Sequence, residues 1–199
     1  MSEPSSRADG FEGAYLGPPP PWDIGRAQPV FIRLAAEGLI GSPVLDAGCG
    51  TGENALHLAS LGLDVTGLDG APSAITRARA KSLERGITVD FVVGDALRLE
   101  ALGRLFETAI DSGLFHVFPD AERERYVAGL TAVVGAGGRA HILCFSEREP
   151  AGWGPRRVTQ AELRSAFATG WQVAAIVPER FVTLHDRPVK AWLATFVRQ

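Results

Sequence analysis

The sequence predicts an α/β fold in which a seven-stranded, mostly parallel sheet carries helices on both faces. Strand and helix patterns alternate from Pro43 onward, and alternating units of this kind build parallel sheets that are covered on both sides. The last two strand patterns have no helix between them, and a connection that short favours an antiparallel hairpin with a reversed final strand. A length of 199 residues suffices for one compact domain with a full core.

The N-terminal segment differs in composition from the rest of the chain. Residues 1–21 are rich in Ser, Gly and Pro, and they end in the run Pro18–Pro21. This composition predicts a mobile arm without regular helix. The first helix is predicted over about 29–38, with Pro29 in its first turn. We therefore expect an arm or lid over residues 1–28 and a single domain over residues 29–199.

The first half of that domain reads as three β-α units. Strands are predicted over residues 43–47, 64–68 and 89–93, and helices over residues 53–61 and 71–86. The second of these helices ends at Gly86, because glycine readily adopts the left-handed conformation that closes a helix. A short helical stretch is predicted over about 99–105.

The second half contains two more units and the hairpin. A fourth strand is predicted over 107–110, and Asp120 is the expected N-cap of a helix that runs to about Val134. Gly135–Gly138 then form a tight turn into a fifth strand over 139–145. Thr159 and Glu162 have the spacing of a capping box that opens the next helix. The hairpin strands cover residues 172–182 and 189–197.

The first strand runs into a loop, 46–52, with glycine at every second position. Gly48, Gly50 and Gly52 allow a sharp turn and a close approach between a ligand and the main chain. Asp46 places a carboxylate at this loop, which disfavours a pyrophosphate and favours a cation. Four strands end in an acidic residue, and ligands of parallel sheets bind beyond these strand ends. These residues are Asp46, Asp69, Asp95 and Asp111.

Charge and cysteine content narrow the class of protein. The net charge is −3 and no basic run exceeds Arg156-Arg157, so the chain lacks the electrostatic footprint for nucleic acid. A disulfide between Cys49 and Cys144 is possible by count, but two buried thiols are favoured. The N-terminus lacks an apolar signal region, and no apolar run approaches the ~20 residues of a membrane span. A cytoplasmic location without a membrane partner is expected.

These motifs together resemble the class I S-adenosylmethionine-dependent methyltransferases, which have a Rossmann-like sheet. The loop 46–52 resembles the first motif of that family, Leu68-Asp69 the acidic end of its second strand, and Gly94-Asp95-Ala96 its third motif. The turn 135–138 is similar too, although the family usually has Pro at the position of Ala136. The resemblance covers residues 43–199. Segments 21–26 and 111–116 look most like small-molecule enzymes of the thiopurine, quinone and heterocycle type.

The resemblance implies roles for the strand-end residues. The glycine loop would pack against the ribose and the amino acid tail of S-adenosylmethionine, and Asp46 would interact with the tail ammonium or cap the next helix. Asp69 would accept hydrogen bonds from both ribose hydroxyls, a role compatible with capping. Asp95 would accept from the adenine amino group, while the Ala96 N–H meets a ring nitrogen. Asp111 would line the reactive centre or serve as a structural turn.

The resemblance also implies that the arm folds over the cofactor. Trp22 would cover the methyl-donor region or dock the arm, and Arg26 would pair with a carboxylate of cofactor or substrate. His116 is the best-placed general base, if the reaction needs one, and a loop histidine bonded to the main chain is an equal alternative. No metal is implied. Residues 147–157 form a predicted second lid.

We therefore predict methyl transfer, by in-line displacement, to O, N or S of a small aromatic or heterocyclic acceptor, by a monomer or dimer. Three alternatives stay open. A nucleic-acid methyltransferase is disfavoured by the sequence at Asp111 and by the charge. A non-catalytic S-adenosylmethionine-binding protein would share the same loop. An NAD-dependent oxidoreductase needs a third glycine where this chain has Glu53.

Overall fold

The computed structural model describes residues 6–185 and 187–199 and contains the predicted seven-stranded sheet. The strands are β1 (Val44–Ala47), β2 (Val65–Asp69), β3 (Asp90–Val93), β4 (Phe106–Ser112), β5 (Val134–Phe145), β6 (Trp171–Phe181) and β7 (Val189–Arg198). Their order is β3-β2-β1-β4-β5-β7-β6. Strand β7 is antiparallel to both of its neighbours, and the other pairs are parallel. The predicted fold class and the terminal hairpin are confirmed.

Helices cover both faces of this sheet. They are α1 (Ser6–Tyr15), α2 (Pro29–Ala36), α3 (Glu53–Ser60), α4 (Pro72–Arg85), α5 (Asp120–Val133) and α6 (Gln160–Ala166), with 3₁₀-helices over Ala96–Leu102 and Phe115–Val117. One core cluster packs Phe31 of α2 and Leu56 of α3 against the sheet, and the other packs Tyr126 of α5 and Phe167 against its opposite face. All of β1 is buried, as expected for a central parallel strand.

Several local predictions are confirmed. Gly86 closes α4 in the left-handed conformation, and the capping box of Thr159 and Glu162 opens α6. Cys49 and Cys144 are free and buried, so the thiol alternative is the correct one. Within the described part of the chain, no helix is long and apolar enough to cross a membrane.

The prediction that the N-terminal arm lacks regular helix was wrong. Residues Ser6–Tyr15 form α1, although two glycines lower the intrinsic helix propensity of this stretch. Tertiary contacts stabilise the helix. The Tyr15 side chain is buried, and the Glu12 carboxylate accepts hydrogen bonds from the backbone N–H (3.0 Å) and hydroxyl of Ser73 in the first turn of α4. A carboxylate is favoured at a helix N-terminus.

Gln28 ties the arm to two other parts of the molecule. Its backbone N–H donates to Asn54 Oδ1 in α3 at 2.9 Å. Its side-chain amide exchanges two hydrogen bonds with the backbone of Val182, which follows β6, at 2.8 and 3.0 Å. The backbone N–H of Leu184 also donates to the Pro21 carbonyl oxygen at 2.8 Å. The arm therefore spans from the glycine loop to the β6–β7 connection.

Two element boundaries differ from the prediction. Asp120 is the first residue of α5 rather than its N-cap, and its carboxylate pairs with Arg156 at 2.6 Å. The predicted turn over 135–138 lies inside β5, which begins at Val134. Val134 pairs with Phe106, and the register between the two strands then shifts.

The first 3₁₀-helix also begins before the predicted stretch 99–105. The Asp95 carboxylate accepts from the Leu97 N–H at 2.9 Å and thereby caps the helix at Ala96. The sequence pattern showed the helical residues, but the cap sets where they start.

Candidate active site

A cavity of about 1440 Å³ lies beyond the carboxyl ends of the parallel strands. Its lining comes from the arm, the glycine loop, the ends of β2 and β3, the turn after β4, and the β6–β7 connection. Single drug-sized ligands occupy cavities of about 300–1,000 Å³, so this one has room for two molecules. The sheet order divides this cavity into two ends. We call the end over β1–β3 the donor end, because the resemblance implies that the methyl donor binds there, and the end over β4–β6 the acceptor end, for the molecule that receives the methyl group.

The glycine loop forms the floor of the donor end. Gly48, Gly50 and Gly52 all have left-handed φ angles, of 70°, 53° and 85°. A Cβ atom at Gly50 would lie 2.8 Å from Tyr15 Oη, so glycine is required where the arm meets the loop. Gly52 does not line the cavity; a Cβ there would meet the Phe91 ring at 2.6 Å, which makes its role one of packing.

Asp69 lines the donor end of the cavity. One carboxylate oxygen accepts from the Gly50 N–H at 2.8 Å and the other from the Ala71 N–H at 2.9 Å. Burial raises the pKa of Asp69, and these two N–H groups oppose that rise. Each oxygen keeps a second acceptor position, which leaves the carboxylate able to bind a pair of hydroxyls.

Asp46 lies behind the glycine loop rather than in the cavity. It is fully buried, and its Oδ2 accepts from the Ala55 N–H of α3 at 3.1 Å, so the helix-capping alternative is what the structure shows. Its Oδ1 has no hydrogen-bond partner among the described residues. Burial, reinforced by the nearby carboxylates of Asp111 and Asp69, raises the pKa of Asp46 to about 8. Because Asp46 does not line the cavity, a contact with a tail ammonium through water is the arrangement that fits this geometry, and it would satisfy Oδ1.

Asp95 and Ala96 lie at the β3 side of the donor end. Both line the cavity, next to Val93 and Leu97. The carboxylate of Asp95 is exposed, and it is held by the Leu97 N–H. Both residues are therefore accessible from the cavity, and their contact with adenine stays a prediction.

Asp111 is a structural residue and not part of the reactive centre. It is fully buried and does not line the cavity. Its carboxylate accepts from the N–H groups of Leu114 (2.8 Å) and Phe115 (2.9 Å) and from the Tyr126 hydroxyl (2.9 Å). Of the two alternatives left by the sequence, the structural turn is correct. Burial raises the pKa of Asp111 to about 7.

His116 lines the acceptor end but has the wrong geometry for a general base. Its Nδ1 accepts from the Phe145 N–H at 3.0 Å, so the proton of the neutral ring is on Nε2. Burial, together with the positive charges of Arg123 and Arg157, lowers the pKa of His116 to about 3. The imidazole therefore stays neutral and presents an N–H group. Of the two alternatives that the sequence left for His116, the loop histidine bonded to the main chain matches this geometry, and the general base does not.

An aromatic wall, formed by His116, Phe145, Trp153 and Phe181, bounds the acceptor end. The Phe145 ring is central, with ring centroids 4.8 Å from His116, 5.4 Å from Phe181 and 5.7 Å from Trp153. The Arg157 guanidinium lies 5.4 Å from the centroids of both Phe145 and Trp153. Arg157 also donates to backbone carbonyl oxygens of the loop 147–157, which fixes that loop against the wall.

The arm residues Trp22 and Arg26 both line the cavity, as predicted. Trp22 Nε1 donates to Tyr15 Oη at 3.0 Å, so Trp22 also docks the arm. Arg26 is exposed and makes no hydrogen bond or ion pair with any residue that the structure describes. Tyr15 also lines the cavity and had no signal in the sequence, because only helix α1, which was not predicted, brings it to Gly50.

These groups fit a cofactor with an ammonium, a carboxylate and a ribose diol. Arg26 offers a guanidinium that has no partner among the described residues, and Asp69 offers two acceptor oxygens. Asp46 Oδ1, which also lacks a partner in the described part of the chain, lies behind the loop. Within the described chain, no three His, Cys, Asp or Glu residues are grouped so as to hold a metal ion.

Comparison with known proteins supports this interpretation of the site. Residues 44–138 match the methyltransferase domain family. The chain is 38% identical to the 2-heptyl-1-hydroxyquinolin-4(1H)-one methyltransferase of Mycobacteroides abscessus, over 89% of this chain and 83% of that protein. A solved structure concerned with conversion of a disulfide bond into a thioacetal group during echinomycin biosynthesis is also 38% identical. The two structures match with a TM-score of 0.90, and the match covers 96% of this chain and 93% of that chain.

A third similarity concerns the fold alone. The magnesium protoporphyrin IX methyltransferase from Synechocystis, solved with bound S-adenosylmethionine, has a TM-score of 0.68 at 20% identity. The match covers 100% of this chain and 87% of that one.

Fold and site thus define an α/β enzyme that binds a nucleoside cofactor beyond its strand ends. With 38% identity across most of two related chains, the protein belongs to the S-adenosylmethionine-dependent methyltransferases, and S-adenosylmethionine is its cofactor. The alternative of an NAD-dependent oxidoreductase is excluded.

Proposed function

We propose that the enzyme methylates O, N or S of a small aromatic or heterocyclic acceptor bound against the aromatic wall. The observation that carries this proposal is the wall itself, a cluster of rings with edge-to-face contacts at the acceptor end of a cavity with room for two ligands. Such rings favour flat apolar partners. The relative from Mycobacteroides abscessus is named for a planar heterocycle, 2-heptyl-1-hydroxyquinolin-4(1H)-one.

The donor-end residues are proposed to hold the cofactor. Asp69 binds the ribose hydroxyls, while Asp95 and the Ala96 N–H read the adenine edge. Arg26 pairs with the tail carboxylate, and Asp46 reaches the tail ammonium through water. When bound, S-adenosylmethionine supplies an activated methyl group on a positively charged sulfur.

The protein contributes mainly by orientation. Holding two reactants in line removes much of the entropic barrier to a bimolecular displacement. The aromatic wall fixes the plane of the acceptor, and the glycine loop fixes the donor. The arm, residues 1–28, acts as a lid on the domain 29–199. Its hydrogen bonds to the glycine-loop helix and to the β6–β7 connection support this role, because they enclose both ends of the cavity.

A substrate panel with an isotopically labelled methyl donor tests the proposal. The panel contains 2-heptyl-1-hydroxyquinolin-4(1H)-one, a phenol, a thiophenol, an aromatic amine and a duplex DNA oligonucleotide, and mass spectrometry locates the transferred methyl group. We expect transfer to at least one aromatic small molecule and none to DNA. Transfer to DNA alone, or to none of these compounds, would reject the proposed acceptor class.

Paired variants test the cofactor site. Asp69→Asn removes a charged acceptor, and we expect it to weaken S-adenosylhomocysteine binding by at least about tenfold, since hydrogen bonds to charged groups contribute about 1.5–3 kcal/mol. Asp90→Asn is the matched control, because Asp90 is an exposed residue at the opposite end of the neighbouring strand. Equal affinities of the two variants in calorimetry would remove Asp69 from the site.

A further inference from the structure

We infer that His116 donates a hydrogen bond from Nε2 to a methyl acceptor that reaches the site as an anion. The preferred methyl acceptors are therefore O–H, N–OH or S–H compounds that are acidic enough to ionise without an enzymic base. The inference rests on the proposed function of the acceptor end. It assigns His116 a role in acceptor binding that differs from the base the sequence suggested.

The first support is the fixed tautomer of His116. The Phe145 N–H occupies Nδ1, and the ring is held 4.8 Å from the Phe145 ring and 6.1 Å from the Phe181 ring. Nε2 has no hydrogen-bond partner among the described residues, and this atom is not fully buried. Because His116 lines the cavity, Nε2 is open to it and presents a donor.

The second support is the charge around the imidazole. Arg123 of α5 and Arg157 of the loop 147–157 both disfavour a proton on His116. Arg123 is itself ion-paired with Glu162 (3.4 Å) and Asp120 (3.8 Å). Arg157 donates only to backbone carbonyl oxygens among the described residues, so its unneutralised charge is the one that favours an anion in front of the Nε2–H group. Other charged or titratable groups line the same cavity from α5 and from the β6–β7 connection. They are Glu122, Arg125, His185 and Arg187, and Arg187 is paired with the buried carboxylate of Glu149.

The reaction balances without a protein base. The acceptor leaves its proton in water before it binds. A lone pair of the anion forms the bond to the methyl carbon while the carbon–sulfur bond breaks, and that electron pair stays on sulfur. One anion and one sulfonium cation therefore give two neutral products. The Nε2–H group orients the anionic atom toward the methyl group and keeps its own proton throughout.

Two variants of His116 separate donor from base. In His116→Asn the side-chain oxygen can still accept from the Phe145 N–H, but no donor remains at the position of Nε2. In His116→Gln a donor returns at that position. Neither amide can act as a base. Calorimetry with S-adenosylhomocysteine verifies that both variants are folded and bind the cofactor product.

The first measurement is spectroscopic and needs no turnover. 4-Nitrophenol is bound to the complex with S-adenosylhomocysteine, and its absorbance distinguishes phenol from phenolate. We expect wild-type protein and His116→Gln to favour the bound phenolate roughly 10- to 100-fold relative to free solution, the effect of one charge-assisted hydrogen bond. His116→Asn should lose this preference. An equal preference in all three proteins would overturn the inference.

The second measurement is the pH dependence of kcat/KM for a series of ring-substituted phenols. We expect the midpoint to follow the pKa of each phenol and His116→Asn to lower kcat/KM roughly 10- to 100-fold, with substantial recovery in His116→Gln. If the pH profile of kcat/KM has the same midpoint for every phenol, a protein base is present and the inference is overturned. Disappearance of that midpoint in His185→Gln would identify His185 as the base. Loss of activity in both His116 variants would also overturn it. Failure of every acceptor despite intact S-adenosylhomocysteine binding would instead reject the proposed function.

Discussion

Replacing Tyr126 by Phe tests whether Asp111 anchors the loop that carries His116. The Tyr126 hydroxyl donates to the Asp111 carboxylate at 2.9 Å, and both side chains are fully buried. A hydrogen bond contributes about 1.5–3 kcal/mol to a charged partner and about 0.5–1.5 kcal/mol to a neutral one. The pKa of Asp111 is raised to about 7 by burial, and the Tyr126 bond opposes that rise because it stabilises the ionised form.

Because the Tyr126 hydrogen bond is stronger to an ionised Asp111, its contribution to the free energy of unfolding should rise with pH. The free energy of unfolding lost in Tyr126→Phe should be about 0.5–1.5 kcal/mol at pH 5 and about 1.5–3 kcal/mol at pH 9. Burial raises the pKa of Tyr126 well above its usual value, so the hydroxyl remains a donor at pH 9. Urea unfolding at pH 5, 7 and 9 measures both values.

Asp111→Asn provides the control for this experiment. Without an ionisable group at position 111, the cost of Tyr126→Phe should no longer depend on pH, and the double-mutant cycle isolates the pair. An equal loss in Tyr126→Phe at pH 5 and pH 9 in the wild-type background would show that Asp111 does not ionise between these pH values.

Three further predictions concern other parts of the site. Burial raises the pKa of Asp46 to about 8, so the folded protein loses stability as the pH rises from about 4 to 8. In urea unfolding, the stability of Asp46→Asn should therefore exceed that of wild type by more at pH 9 than at pH 5. The same difference at both pH values would contradict this. Gly50→Ala should weaken S-adenosylhomocysteine binding at least about tenfold in calorimetry, because the glycine loop, which lines the cavity, must shift to relieve both the contact of the new Cβ with the Tyr15 hydroxyl and a strain of roughly 1–3 kcal/mol. Gly38→Ala, at φ 69° in open space, should lower stability only, and equal binding by both variants would refute the loop contact. Glu12→Ala removes two hydrogen bonds to Ser73 and should speed protease cleavage of the arm; an unchanged rate would show that these bonds do not hold it.

The sheet and the donor end could be predicted because their signals are local in sequence. Each strand end and its acidic residue are adjacent in the chain, and the three glycines of the loop lie within residues 48–52. Parallel topology then brings Asp69 and Asp95 to one edge without knowledge of any long-range contact. Helix α1 gave no such signal, because Ser73, which donates to Glu12, and Gly50, against which Tyr15 lies, are both more than thirty residues away along the chain.

The acceptor end was harder for the same physical reason. Asp111 and His116 carry the residue types of a reactive centre, and the sequence alone gives no means of telling a loop anchor from a reactive group. The decisive contacts are the Tyr126 hydroxyl, fifteen positions from Asp111, and the Phe145 N–H, twenty-nine positions from His116. Which lone pairs are occupied is set by tertiary structure, and it decides the chemistry.

The amide of Gln28 has a consequence for attempts to redesign this enzyme. Its two hydrogen bonds to Val182 make the segment after β6 both a border of the acceptor end and an anchor of the arm over the donor end. Lengthening that segment to admit bulkier acceptors would also shift the KM for S-adenosylmethionine. Engineering of acceptor preference is better directed at Phe145 and Trp153, which shape the wall and leave the Gln28 anchor untouched.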